Sequence, residues 1–261
     1  MQSEKQYIDL YTEAQQLIKE HAAPVLNEVR DKAFEDFRRQ GFPTKKVERY
    51  KYTDMQKLFE PDYGLNLNRL EIPVNPYDTF KCDVPNLSTS LYFIVNDQFY
   101  SKSLPKAKLN DGVIVDSLNH VATERPELVA KYYGRLANTE ADAITALNTM
   151  LAQDGLFIYV PKNVQLERTI QVINILRSDV DLMVNRRVLI VLEEGAKAQF
   201  LFCDHAADDR NFLATQVIEA YVGANANLEL NCLEETHAKN VRVSNVYIEQ
   251  QRDSRASHNV I

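Results

Sequence analysis

Glycine is scarce, with seven in 261 residues and no two of them close together. The phosphate-cradling loops GxxxxGK[ST] and GxGxxG both need closely spaced glycines, so nucleotide binding by either device is excluded. The chain also lacks GxSxG and HExxH, which removes the nucleophile-elbow hydrolases and the zinc peptidases of that signature. Its three cysteines, Cys82, Cys203 and Cys232, are odd in number and widely spaced, so neither a disulfide framework nor a Cys-x-x-Cys site is indicated. No apolar run approaches the roughly 20 residues needed to cross a bilayer. The N-terminal MQSEKQYIDLY is acidic and polar where a secretory signal is basic and then apolar, so the expectation is a cytoplasmic chain without a membrane partner. Positive charge is in short supply too: a net charge of −7 speaks against nucleic acid as a partner. The densest basic run, Lys45, Lys46, Arg49 and Lys51, is interrupted by Glu48 and reads as a solvated loop.

What is present divides into three segments: 1–87, 88–154 and 155–261. The first opens with two amphipathic stripes. One runs through Tyr7, Leu10, Tyr11, Ala14, Leu17 and Ile18, with Ser3 and Gln6 as a capping box; the other runs through Val25, Val29, Ala33, Phe34 and Phe37. Pro24 separates them, and Gly41 supplies a left-handed stop. Beyond Gly41 the chain is rich in proline and asparagine, with Pro43, Pro61, Pro73, Pro76 and Pro85, and an irregular path is expected. In the second segment, Leu91–Val95 and Phe99–Tyr100 flank Asn96–Gln98 as a hairpin. Helix is expected over 117–152, with Pro126 at a first helical position and Thr139 and Asp142 capping a stripe of Ile144, Leu147 and Leu151.

After Gly155 the pattern becomes strand-like and stays so. Three stretches, IYVPKNVQL (158–166), VLEEGAKA (191–198) and YVGANANL (221–228), share one corner template. Anchored on Asn163, Gly195 and Asn225, residue types that tolerate a left-handed backbone, they recur at intervals near 30. Each interval holds an entering strand (Val188–Leu192, Gln216–Val222) and a leaving strand (Gln199–Phe202, Leu228–Leu230). Two strands per repeat and no helix predict a coiled parallel sheet. Ala196, Ala198, Phe200 and Phe202 share an inward face with Ala226, Leu228, Leu230 and Cys232 in the next repeat. Arg168 falls on an inward position of the first repeat, which points to a bulge or a wider corner there. Val241–Gln250 reads as the strand entering a fourth corner. The closing RDSRASHNVI lacks the corner template, so the expectation is a coil that is truncated or covered by a partner.

The segment RDKAFEDFRRQGFPTKKVERYKYTD (30–54) resembles the N-terminal region of the SufB/SufD family of iron–sulfur cluster assembly proteins. The matching positions are Arg30, Ala33, Phe37, Gly41, Pro43, Glu48, Tyr50, Lys51, Tyr52 and Thr53, with Tyr50 standing where the family carries tryptophan. ALNTMLAQDGLFIYVPKNVQLERTIQVINI (146–175) is similar to the entry into that family's core domain, and the Gly-x-Pro element resembles the SufD branch. The resemblance implies an α+β chain, an N-terminal helical and irregular domain followed by a right-handed parallel β-helix. It also implies a non-catalytic scaffold that works with SufB-like and SufC-like proteins, the latter an ATPase, or pairs with itself in isolation. The iron–sulfur cluster is then handled by the complex, with no cofactor bound by this chain alone. No catalytic residue is carried over from the family.

Among candidate sites, Cys203 and His205 place two soft metal ligands two apart on one strand face. Cys232 falls on the opposite phase and reads as a small core residue. Asp204, Asp208, Asp209 and Arg210 read as a solvated charged loop, and Tyr50, Tyr52 and Phe59 as pins for the irregular segment. Two other classes stay open: a carbohydrate-active β-helix enzyme and a stand-alone adaptor that binds through its solenoid edge. The enzyme would need carboxylates at equivalent offsets on successive repeats, where apolar or unrelated residues are expected.

Overall fold

The computed structural model describes residues 2–79, 89–102, 104, 109 and 112–261. Cys82 and Pro85 lie outside the described residues. The first amphipathic stripe forms α1 (Gln2–Glu20), which buries Tyr7, Tyr11 and Ile18. Ser3 lies inside its first turn instead of capping it, and Gln6 donates to the Pro61 carbonyl across the irregular segment. Pro24 ends the stripe as its ring requires and opens the short α2 (Pro24–Asn27). The second stripe becomes α3 (Arg30–Gln40), closed by Gly41 at φ 62°, whose N–H donates to the Phe37 carbonyl.

Two short helices, α4 (Met55–Phe59) and α5 (Pro76–Thr79), interrupt the otherwise irregular stretch that follows. Tyr50 and Phe59 are buried and pin it in place, whereas Tyr52 is 89% exposed and pins nothing. Strands β1 (Thr89–Val95) and β2 (Gln98–Phe99) form the expected hairpin around Asn96, at φ 57°. Next come β3 (Ile114–Ser117), α6 (Leu118–Glu124), α7 (Pro126–Ala130, begun by its proline) and α8 (Ala143–Leu151). Asp142 alone caps α8, accepting from the Thr145 N–H; the Thr139 hydroxyl donates instead to Asp36 of α3.

The remaining chain winds as a parallel β-solenoid. Its strands are β4 (Leu156–Val160), β5 (Thr169–Leu176), β6 (Leu182–Leu192), β7 (Lys197–Ala206), β8 (Phe212–Val222), β9 (Asn227–Glu235), β10 (Asn240–Gln250) and β11 (Arg255–Val260). One sheet stacks β4, β6, β8 and β10 in parallel; the other stacks β5, β7, β9 and β11. Four turns result, each with one strand in each sheet. The second sheet extends upstream of residue 155, because β1 pairs in parallel with β5 over seven residues.

Asn163, Gly195 and Asn225 all take the left-handed backbone expected of corner anchors, at φ 61°, 68° and 58°. Each corner N–H donates to a carbonyl of the next: Asn163 to Glu194, Gly195 to Ala224 and Asn225 to Arg252, all within 2.8–2.9 Å. Asp253, at φ 59°, makes a fourth corner, and β11 leaves it to pair with β9. The closing segment therefore does contain a corner and its leaving strand. Aspartate, like asparagine, tolerates this conformation, and the template drawn from Asn and Gly overlooked it.

The first corner is wider than the others by two residues. Gln165 bridges Lys197, an offset of 32, but Ile170 pairs with Phe200, an offset of 30. An even insertion preserves the facing of every later residue, whereas a single bulge would invert it. Ile170 thus stays inward while Arg168 is carried out to solvent.

The helical region covers the outer face of the first sheet, with Ile144, Leu147 and Leu151 of α8 in one apolar cluster with Met183 of β6 and Leu213 of β8. Gly155 sits where that layer meets the sheet, and a Cβ there would collide with the backbone carbonyl of Arg187. Gly155→Ala should therefore destabilise the chain by about 3 kcal/mol, whereas Asn225→Gly, which keeps its corner geometry, should stay within about 1 kcal/mol of the parent. Urea unfolding followed by circular dichroism measures both; equal losses would contradict the close approach at Gly155.

Candidate functional site

Side chains alternate across a pleated strand, so the parity of β6 sends Arg186 into the lumen with Val188 and Ile190 and turns Arg187 outward. Along most of its length the lumen is apolar, filled by Val172, Phe200, Phe202, Ile218, Leu228 and their neighbours. One layer is not. Arg186 donates through Nε to the Asn96 carbonyl at 2.9 Å and pairs through Nη1 with Asp204. Arg242 donates to the other Asp204 oxygen at 2.8 Å and also pairs with Glu234. Gln216, stacked on Arg186 in register, donates to the Ser244 hydroxyl at 3.3 Å. A ladder of alternating charge thus runs across the turns, from fully buried Arg186 to Glu234, whose side chain is 40% exposed. Past it the lumen is apolar again, with Leu176, Leu182, Val184 and Phe212.

The outward neighbour is just as buried. Arg187 pairs with Glu219 at 2.7 Å, donates to the Thr149 hydroxyl at 2.8 Å, and lies over the Tyr133 ring. Glu219 also accepts the backbone N–H groups of Gly134, Leu136 and Ala137 at 2.9–3.0 Å. Asn148 of α8 reaches the Arg186 carbonyl and the Thr215 hydroxyl. These contacts bolt the helical layer to the sheet.

Cys203 and His205 do share one face of β7, the outer one. Cys203 is buried among Phe93, Ile173 and Ile175, and the Gln171 amide donates to its sulfur at 3.7 Å. His205 is half-buried, with Nδ1 3.6 Å from a Glu235 oxygen; burial pushes its pKa down, so the ring is neutral at pH 7. Cys232 faces the other way, into the lumen beside Phe202. Burial pushes its thiol up to about 11, and His258, 3.7 Å away, is pushed down by burial and by Arg242. That pair is a thiol beside a neutral imidazole, not a thiolate. Among the described residues, no group of three or more His, Cys, Asp or Glu side chains is arranged to hold a metal ion.

The expected charged loop is taken apart. Asp204 belongs to the lumen; Asp208 accepts from Arg177 and from the Ser178 N–H, and Asp209 pairs with Lys239. Asp204 and Glu234 are in register on successive turns, so carboxylates do stand at equivalent offsets, nine past Gly195 and nine past Asn225. They face inward and are held by arginines, which leaves no carboxylate groove from this pair. The repeat phase was the available signal, since Asp204 and Glu234 continue the inward offsets of Phe202 and Cys232.

Asp204 is flanked by two guanidinium groups in a site shielded from water. Asp204→Ala should cost about 3–5 kcal/mol by leaving Arg186 buried without its counter-charge, and Glu234→Ala, at the open end, about 1 kcal/mol or less. Denaturant midpoints of the two variants test this order, and an equal loss would contradict the buried ladder.

The chain matches the SufBD protein N-terminal region over residues 1–172 and the SUF system FeS cluster assembly SufBD core domain over 174–261. It is 32% identical over 143 residues to a chloroplastic iron–sulfur cluster assembly SufBD family protein of Arabidopsis thaliana, covering 53% of this chain and 24% of that protein. A SufBD family protein of Synechocystis is 32% identical over 135 residues, covering 51% and 28%. The iron–sulfur cluster assembly protein SufD of Bacillus subtilis is 31% identical over 120 residues, covering 46% and 27%. The matched stretches span well under half of each of these relatives. No helix among the described residues is long and apolar enough to cross a membrane. With both regions matched in order along a helical layer and a parallel solenoid, the chain belongs to the SufB/SufD family of the SUF iron–sulfur cluster assembly system.

Proposed function

We propose that the chain serves as a non-catalytic scaffold in a SUF-type iron–sulfur cluster assembly complex, alongside SufB-like and SufC-like partners. The observation that carries this reading is the match of both SufBD regions, in order over residues 1–172 and 174–261. The packing agrees with it. The lumen is filled by apolar side chains and a self-neutralised ionic layer, and Cys232 is held as a thiol rather than a nucleophilic thiolate. In this reading the cluster is cargo of the assembled complex, the ATPase partner supplies the nucleotide chemistry, and the chain works in the cytoplasm. Cys203 and His205 then serve as packing residues on the outer sheet.

Co-expression of the full gene product with SufB-like and SufC-like proteins of the same genome tests the proposal. Light scattering of the purified material should give a mass that accounts for all three chains. A clean monomer that ignores both partners would overturn it, and turnover of a polysaccharide panel by that monomer would favour a β-helix enzyme instead.

A further inference from the structure

Tyr52, at 89%, is the most open of the exposed large apolar side chains among the described residues, and Val47, five residues before it, is 46% exposed. Both sit in the stretch 44–53, which also carries Lys45, Lys46, Arg49 and Lys51 against the single carboxylate of Glu48. The rest of the chain is acidic, since the net charge is −7 with these cations included. The stretch is firmly built. The N–H groups of Val47, Tyr50, Lys51 and Thr53 donate to the carbonyls of Thr44, Val47, Glu48 and Tyr50, winding it into successive tight turns. Tyr50 anchors these turns by donating its hydroxyl to buried Asp142 at 2.6 Å, and Arg49 pairs with the same carboxylate at 3.0 Å. Asp142 is fixed in turn by the Thr145 N–H and by Asn245 of β10, both at 2.8 Å.

Tyr52 is thus displayed on an anchored turn, which lowers the ordering cost of binding through it. Its neighbours supply charge. Lys51 Nζ lies 5.0 Å from the centre of the Tyr52 ring. Lys51 also pairs with Glu48 at 3.0 Å, and Lys45 reaches Asp54 at 3.7 Å, with every one of these side chains more than 40% exposed. Such surface pairs are worth little and can yield to a partner's carboxylates. Tyrosine is a favoured anchor of protein interfaces, and a rim of cations selects an acidic partner. Nucleic acid fits less well, because Glu48 and Asp54 stand among the cations and one ring is no stacking platform. A membrane also fits less well, because Val47 and Tyr52 offer little apolar area to insert.

We propose that the 44–53 turns are a docking surface for an acidic segment of a partner protein. Tyr52 and Val47 pack against an apolar side chain of that segment, and Lys46 and Lys51 pair with its carboxylates. The proposal does not rest on the scaffold reading.

Fluorescence anisotropy with the full chain and a fluorescein-labelled random copolymer of glutamate and tyrosine tests it. The copolymer should bind, and binding should weaken as salt rises. Tyr52→Ala should weaken it about tenfold or more, and Tyr52→Phe about twofold or less, because the ring and not the hydroxyl makes the contact. Lys46→Ala and Lys51→Ala should each weaken it about threefold, whereas Lys131→Ala, which removes the same charge elsewhere, should leave it unchanged. All four substituted residues are exposed, so the variants should keep the circular dichroism of the parent. Failure of the copolymer to bind, or equal binding by Tyr52→Ala, would overturn the proposal. Tighter binding of polyuridylate or of phosphatidylserine vesicles through the same residues would also overturn it.

Discussion

Arg186 and Arg187 are neighbours on a strand whose every residue is buried, and the pleat sends one guanidinium into the solenoid and the other beneath the helical layer. Moving a charge out of water costs several kcal/mol even after the protein relaxes, so β6 can exist only where both charges find partners. Asp204 arrives from the facing sheet, and Glu219 from the next turn of the same sheet. The two halves of the molecule are therefore coupled at one dipeptide. The coil cannot close without Asp204, and the helical layer, through Gly134, Leu136 and Ala137, cannot seat without Glu219.

That coupling bears on register. An apolar lumen accepts many alignments, because Val, Ile, Leu and Phe interchange with modest penalties. A slip of one residue would turn Arg186 outward and Arg187 inward, and a slip of two would set Arg186 against Phe202 or Ala206 instead of Asp204. The polar layer thus discriminates among alignments that the apolar layers tolerate. The two-residue widening of the first corner is consistent with this: the insertion is even, so it leaves the facing of Ile170 and of everything beyond it unchanged.

The chain belongs to the SufB/SufD family, and the structure is that of a four-turn parallel solenoid with a helical layer bolted to one face. Such an architecture has a filled interior, closed by apolar side chains and the paired charges. This supports a scaffold reading, in which the chain contributes shape and contacts while chemistry takes place on the assembled complex.

The fold was legible where a local rule decides the outcome. Pro24 and Gly41 set helix ends; Asn163, Gly195 and Asn225 set corners because few residues accept a positive φ; and two-residue alternation placed Ala196, Ala198, Phe200 and Phe202 on the inward face. The opposite facing of Cys203 and Cys232 followed from the same count. Local reading failed where partners come from far along the chain. The expected entering strand, Val188–Leu192, leaves out Asn185, Arg186 and Arg187 of β6, and Asp204, expected in a solvated loop, lies in the lumen. Tyr52 could not be told from Tyr50, although one is exposed and the other buried against Asp142. By itself the sequence determined the repeat, the corners and the phase of the strands, since these depend on backbone preferences of single residues. Only the tertiary structure decided that four charges lie inside the coil, because a buried charge is permitted by its partner, and each partner here arrives from another strand.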